Sequence, residues 1–258
     1  MSTMTAPVTL DVSGTPRVPL SRLIKVELRK MTDTRAGMWL MVTIAAVTVI
    51  ATTIFGLAGH DEDRTFYNFM QFAGAPQGFL LPVLGILLVT QEWSQRTGMV
   101  TFTLEPHRAR VLSAKVYAAL LIGVAAFVIA VGVAALATVL FGGTDPWREL
   151  GGVDFLKFGI LQITGLLQGL AFGLLFLNSA FAIVLYFVLP TVFSILFNTV
   201  PALQDSAPWI DFGTAQGPLG EVGNLSGKEW AQLGLTATWW VILPFVAGLW
   251  RVLRAEVK

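Results

Sequence analysis

Six long blocks of this sequence are almost free of charge, and they constrain the fold more than any other feature. They run over about 38–58, 72–89, 116–141, 155–177, 180–200 and 231–250, with Lys157 interrupting only the start of the fourth. Each has at least the roughly 18 residues that a helix needs to cross a bilayer. No water is present there to satisfy backbone N–H and C=O groups, so such a run is helical. The charges missing from the blocks are gathered between them. Charged residues make up only 13% of the chain, against roughly 25% in a soluble domain. The expectation is an all-α integral membrane protein with six transmembrane helices.

The remaining segments frame these spans. Residues 1–19, rich in Thr, Ser, Val and Pro, have no helical apolar period and read as a flexible tail. Residues 20–258 read as a single transmembrane domain. No signal peptide is expected, because the first apolar run starts near Met38, behind a long polar segment. Residues 20–36 read as an amphipathic interfacial helix. At 100° per residue Leu20, Leu23, Ile24, Leu28 and Met31 share one face, and Arg22, Lys25 and Arg29 lie opposite. Such a basic helix beside a span lies on an anionic membrane surface. Glu27 falls in the middle of the apolar face, and Arg35 would share its side if the helix continued. Glu27 has two readings: a partly solvated residue on a shallow face, or a contact to a partner or to the connector after span two.

Lysine and arginine set the orientation. With both termini, the 90–115 connector and the Asn178-Ser179 turn on one side, that side holds thirteen Lys and Arg residues. The other holds Arg64, Arg148, Lys157 and Lys228. The positive-inside rule then puts both termini in the cytoplasm of a multi-pass cell (plasma) membrane protein. Span six is preceded by Ser226-Gly-Lys-Glu229, a capping-box pattern. Pro201–Phe212 is apolar enough to sit in or dip into the interface, followed by an extended loop up to Glu229.

The spans offer little reactive chemistry. Ionisable residues fall in loops or at span ends, which argues against ion- or proton-coupled transport. Cysteine is absent, and the two histidines, His60 and His107, lie in loops without metal-binding spacing. No Gly-x-x-x-x-Gly-Lys-Ser/Thr phosphate loop is present, and the few basic groups face a membrane surface rather than nucleic acid. Gln77, Gln162, Gln168 and Asn198 can line a pathway or bond helix to helix. Gly165, Gly169 and Gly173 recur every four residues in span four, a ridge that lets helices approach closely. Pro82, Pro190 and Pro244 lie inside spans two, five and six, as packing kinks or as hinges beside a pathway.

The connector between spans two and three, Thr90–Lys115, is the longest polar, basic interruption. Glu92 and Arg96 stand at i, i+4, either ordering the connector or forming an ordinary surface pair. Pro106 suits a helix start, and Lys115 has the length to snorkel to headgroups. The motifs are Glu27-Leu-Arg-Lys30 with Arg35, Thr90-x-Glu92, Arg96-Thr97, Thr103-Leu104-x-Pro106-x-Arg108, Lys115, and Leu170-Ala-Phe-Gly-Leu-Leu before a tight turn. Together with six spans and both ends inside, they resemble the permease subunit of a type-2 ATP-binding-cassette (ABC) transporter. The chain departs from that pattern at Asn178-Ser179, which replaces a basic turn.

The resemblance implies that the connector forms a coupling helix docking on separate cytoplasmic ABC ATPase subunits, with Glu27, Arg35, Glu92, Arg96, Thr97, Pro106 and Arg108 at that interface. It implies a second permease copy or paralogue. It also implies that this chain binds no cofactor itself, with ATP and magnesium on the partner ATPase. The implied activity is ATP-driven export of a hydrophobic or amphipathic substrate (drug, lipid or peptide) by a chain that is not itself an enzyme. The alternative is a structural or regulatory membrane subunit that transports nothing.

Overall fold

The computed structural model describes residues 17–95, 98–148 and 151–254, and every regular element among them is helical. A short amphipathic helix, α1 (Leu20–Asp33), precedes the long ones. The six helices long and apolar enough to cross a membrane are α2 (Arg35–Ala58), α3 (Phe66–Ser94), α5 (Arg108–Phe141), α6 (Gly152–Phe176), α7 (Ser179–Thr199) and the stretch Gly227–Arg254. A short helix, α4 (Gly98–Leu104), lies between α3 and α5.

The expected interfacial helix over 20–36 is instead split. Thr34 turns extended (ψ 137°), and its hydroxyl accepts from the Gly37 N–H to cap α2. Arg35 therefore opens the first long helix rather than ending α1. The second and third long helices outrun their apolar blocks. α3 gains a turn or more at each end, and α5 starts at Arg108, with His107 as its N-cap residue. Pro106 thus lies one residue before the cap and is not the first helical residue. At about 1.5 Å per residue the 34 residues of α5 reach roughly 50 Å, well beyond a hydrocarbon core of about 30 Å.

α3 and α6 form the centre. Half of the apolar window of α3 (50%) and 56% of that of α6 are buried in the protein, against 11–22% in the other four. The glycine ridge of α6 makes this pairing. A Cβ on Gly169 would stand 2.2 Å from the Pro82 carbonyl oxygen, and one on Gly173 would stand 2.4 Å from a Val89 methyl. Gly85 returns the approach, 2.7 Å from the Leu166 carbonyl oxygen by the same measure. Pro82 meets Gly169 and Val89 meets Gly173, so the pairing advances in the same direction on both helices and they run parallel.

Around this pair, Met31, Ile44, Leu81, Leu88, Leu112, Leu166, Leu174 and Val252 form one cluster drawing on α1, α2, α3, α5, α6 and the last helix. At the opposite end Phe66, Tyr67, Phe69 and Met70 of α3 pack against the small face Ala130, Ala134 and Ala137 of α5. Asn178 caps α7 by accepting from the Phe181 N–H at 3.0 Å, and Leu177 adopts a left-handed conformation (φ 53°) to close the hairpin.

Residues 201–229 differ from expectation. The part after Phe212 is not an extended loop. Helical turns cover Pro201–Ser206, α8 (Ala207–Ile210), α9 (Phe212–Gln216) and Gly217–Gly220. Phe212 and Leu219 bury themselves with Phe172, Leu233 and Trp240, so the segment is a folded cap. Asp211 starts α9 by accepting from Thr214 N at 2.9 Å and from Ser194 Oγ at 2.8 Å.

The last long helix begins at α10 (Gly227–Ala237) on the expected capping box. Ser226 Oγ accepts from Glu229 N at 3.3 Å, and Glu229 Oε2 accepts from Ser226 N at 2.6 Å. A π-helical segment, Thr238–Ile242, joins it to α11 (Leu243–Arg254). Pro244 lacks an N–H and its ring would crowd the carbonyl four residues back, so the wider turn absorbs the mismatch.

Candidate functional site

Four charged side chains from three separate stretches of the sequence meet where α1, α3 and α5 converge. Glu27 occupies the apolar face of α1, and the helix carries that face onto α3 and α5. Glu92 lies in the last turns of α3, beyond buried Leu88 and Val89. Lys115 lies two turns into α5, on the face that buries Leu112, Ala118 and Ala119. Lys30 follows Glu27 by three residues and so projects from the same side of α1.

Lys30 Nζ donates to Glu27 Oε1 at 2.7 Å and to Glu92 Oε1 at 2.6 Å. Lys115 Nζ donates to Glu27 Oε2 at 2.6 Å and to the Leu88 carbonyl oxygen at 3.0 Å, and it stands 3.3 Å from Glu92 Oε2. The cluster is formally neutral, with two carboxylates and two ammoniums. Glu27, Glu92 and Lys115 are 3%, 5% and 3% exposed. Burial opposes the charge on Lys30, but the carboxylates of Glu27 and Glu92 outweigh it and hold its pKa above the ordinary lysine value.

A charge buried this far is stable only when paired and hydrogen-bonded, so removing any one member leaves an unmatched charge in the interior. The cluster therefore fixes three helices to one another. It also reaches α4, because Thr101 Oγ1 donates to Glu92 Oε1 at 3.0 Å. On the outside of α4, Val100 and Leu104 stand one turn apart and are 61% and 78% exposed. The connector ends on a second set of contacts: buried Glu105 takes Arg110 Nη1 at 3.0 Å and His107 Nδ1 at 3.1 Å.

This arrangement changes the roles expected from sequence. Glu27 and Glu92 are buried, with their carboxylates engaged by Lys30 and Lys115. Arg96 and Thr97, and with them the Glu92–Arg96 pair, lie outside the described residues; the Glu92 carboxylate is engaged by Lys30, Lys115 and Thr101. Lys115 does not snorkel outward but is enclosed. Arg35 and Pro106 are exposed. Arg108 turns toward the end of α11, donating to the Val252 carbonyl oxygen at 2.8 Å, where a cation matches the helix dipole. Lys30, Lys115 and Thr101 were missed as site residues. The i, i+3 spacing from Glu27 was the available signal for Lys30; for Thr101 there was none.

The polar residues of the spans are dispersed. Gln77 is buried on α3 with Oε1 unpartnered, and Gln168 is buried on α6 with Nε2 unpartnered. Gln162 Nε2 donates to the Gly123 carbonyl oxygen at 3.3 Å, holding α6 to α5. Asn198, exposed on α7, donates to the Ser194 carbonyl oxygen at 2.8 Å and to Thr214 Oγ1 at 3.1 Å in the cap. Gly165 faces Pro82 at ordinary contact distance.

Two further buried charges, Asp154 and Lys157, stand in the first turns of α6. Lys157 is enclosed in the second turn of α6, donating to the Gly223 carbonyl oxygen at 2.7 Å and to that of Glu221, and pairing with Asp154 Oδ1 at 3.2 Å. This pair pins the loop before α10. Among the described residues no group of three or more His, Cys, Asp or Glu side chains is placed to hold a metal ion. No protein-family model matches the chain, and no curated protein matches it.

Proposed function

We propose that this chain is the membrane-embedded permease subunit of an ATP-driven transporter of the type-2 ABC class, energised by a separate cytoplasmic ATPase that lands on α4. The observation that carries the reading is the wiring of α4. It is a short surface helix with two uncovered apolar side chains, and Thr101 links it to a buried cluster shared by α1, α3 and α5. Force applied to α4 passes through Glu92 to Lys115 and Lys30, and so reaches three helices at once. One of them, α3, is half of the central pair. The thirteen-to-four distribution of Lys and Arg supports a cytoplasmic position for α4 and both termini.

The sequence has no phosphate loop of its own, so ATP and magnesium belong to the partner. A second permease copy or paralogue completes the translocation unit. Spans with apolar outer faces and only isolated amides fit a hydrophobic or amphipathic substrate, moved outward. The test is to purify the chain with its natural partners from membranes and assay nucleotide hydrolysis, comparing wild type with Leu104→Asp. Leu104 is 78% exposed, so the variant is expected to fold. The proposal expects an ATPase to accompany the wild type and to be lost with Leu104→Asp. An ATPase retained by the variant sinks the α4 assignment, and ATP-independent substrate movement sinks the class.

A further inference from the structure

A groove of about 530 Å³ runs between α1 and α4, directly over the four-charge cluster. Its volume lies in the range of roughly 300–1,000 Å³ typical of small-molecule sites. Leu23 and Val26 of α1 and Val100 and Leu104 of α4 form apolar walls. Val26, Val100 and Leu104 are exposed among the described residues, which makes them a favourable surface for a hydrocarbon chain. This groove is a third face of α1. It lies between the buried side carrying Ile24, Leu28 and Met31 and the outer side carrying Lys25 and Arg29.

The charges around the groove are unequal in what they offer a ligand. Three carboxylates line it, and all are engaged. Glu27 is held by Lys30 and Lys115, and Glu92 by Lys30, Lys115 and Thr101. Glu105 is held by Arg110 and His107. The cations are open: Arg22 is exposed at the mouth, and the Lys30 side chain is 35% exposed on the floor. An ammonium has three donors, and two on Lys30 are taken by Glu27 and Glu92. The third is left for a ligand.

We propose that this groove binds a single acyl chain ending in an anionic group, with the chain along Leu23, Val26, Val100 and Leu104 and the anion at Arg22 and Lys30. The binding does not depend on the transport reading. If that reading also holds, the acyl chain covers Val100 and Leu104, the side chains offered to the ATPase, and the anion competes with Glu92 for the Lys30 ammonium, so the bound ligand opposes coupling. A free fatty acid has this chemistry, one chain and one terminal carboxylate, whereas a diacyl lipid brings a second chain for which the groove has no wall.

The test is photolabelling of the full chain in phosphatidylcholine nanodiscs. The probe is a diazirine-bearing C12 fatty acid, compared with the matching alcohol and trimethylammonium compounds, with adducts mapped by mass spectrometry. Saturable adducts of the acid on α1 and α4 are expected, with weaker labelling by the other two. Val100→Trp, a change at an exposed wall position, should reduce labelling about tenfold or more by filling the groove. Arg22→Gln should weaken it about three- to fivefold, the scale of an exposed charge contact. Equal labelling by all three probes, adducts spread over lipid-facing α7, or indifference to Val100→Trp would overturn the proposal. Repeating the experiment with phosphatidylglycerol in the disc should leave the labelling unchanged; competition by that two-chain lipid would overturn the assignment to a free fatty acid.

Discussion

Replacing Lys115 by Met should damage this protein more than any single change at its surface. Methionine keeps most of the length and apolar stem of lysine and removes only the ammonium. The structure sets the scale of the loss. Lys115 is 3% exposed and serves Glu27 at 2.6 Å, Glu92 at 3.3 Å and the Leu88 carbonyl. Its removal turns a neutral cluster into one with an unmatched buried carboxylate. Breaking a buried pair in this way costs about 3–5 kcal/mol. At roughly 2–4 °C per kcal/mol for a chain of this size, Tm should fall by about 10 °C. Glu27→Gln alone should also destabilise, by leaving the opposite excess. In the double variant, Lys30 and Glu92 remain as a balanced pair at 2.6 Å. The two losses should therefore fall short of additivity by about 2 kcal/mol or more. Scanning fluorimetry of the four proteins in nanodiscs reads the cycle. Additive losses, or a Lys115→Met cost below about 1 kcal/mol, would refute the idea that these charges form one buried unit.

Thr101→Val removes a single neutral donor from Glu92, so it should cost only about 0.5–1.5 kcal/mol while lowering partner-coupled ATP hydrolysis severalfold in a reconstituted complex. Gly169→Ala should push α6 off the Pro82 carbonyl and cost about 1–3 kcal/mol by thermal unfolding, whereas Gly78→Ala, which meets open space on α3, should be neutral or stabilising. Lys30 has a folded-state pKa above its unfolded one, so its stabilisation is fully present below the unfolded value and is lost only as pH rises through the folded one. The Tm difference between wild type and Lys30→Met should stay flat from about pH 6 to 9 and shrink above about pH 10.5. Arg108→Gln should free the last carbonyls of α11 and raise proteolysis near Leu253, as read by limited digestion.

The long helices were legible because hydrophobic length is a local signal. Their ends were not, because helix termini follow backbone hydrogen bonding rather than apolarity. α5 begins at Arg108, where the chain can turn after Pro106, and not where the apolar run starts. Thr34 broke the first helix because its side chain caps α2, a choice that the periodicity of 20–36 does not encode. Glu27 stood out in the sequence as a charge on an apolar face, and that anomaly pointed to the cluster. Its partner Lys115 and the second carboxylate of the cluster, Glu92, lie 88 and 65 residues away, and their meeting depends on how three helices converge. The interior of the 201–229 cap was hidden for the same reason. Phe212 and Leu219 are separated by short turns, and only packing on Phe172 and Trp240 marks them as core.

An ATPase that engages this chain at α4 can be captured there with a site-specific photocrosslinker. Place the crosslinker at Leu104, and in a separate protein at Val139, which is comparably exposed near the far end of α5. After crosslinking in native membranes, assay the purified adducts for ATP hydrolysis. A covalent adduct with an ATP-hydrolysing protein is expected from Leu104 and none from Val139. No ATPase at Leu104, or equal capture from both positions, would contradict it.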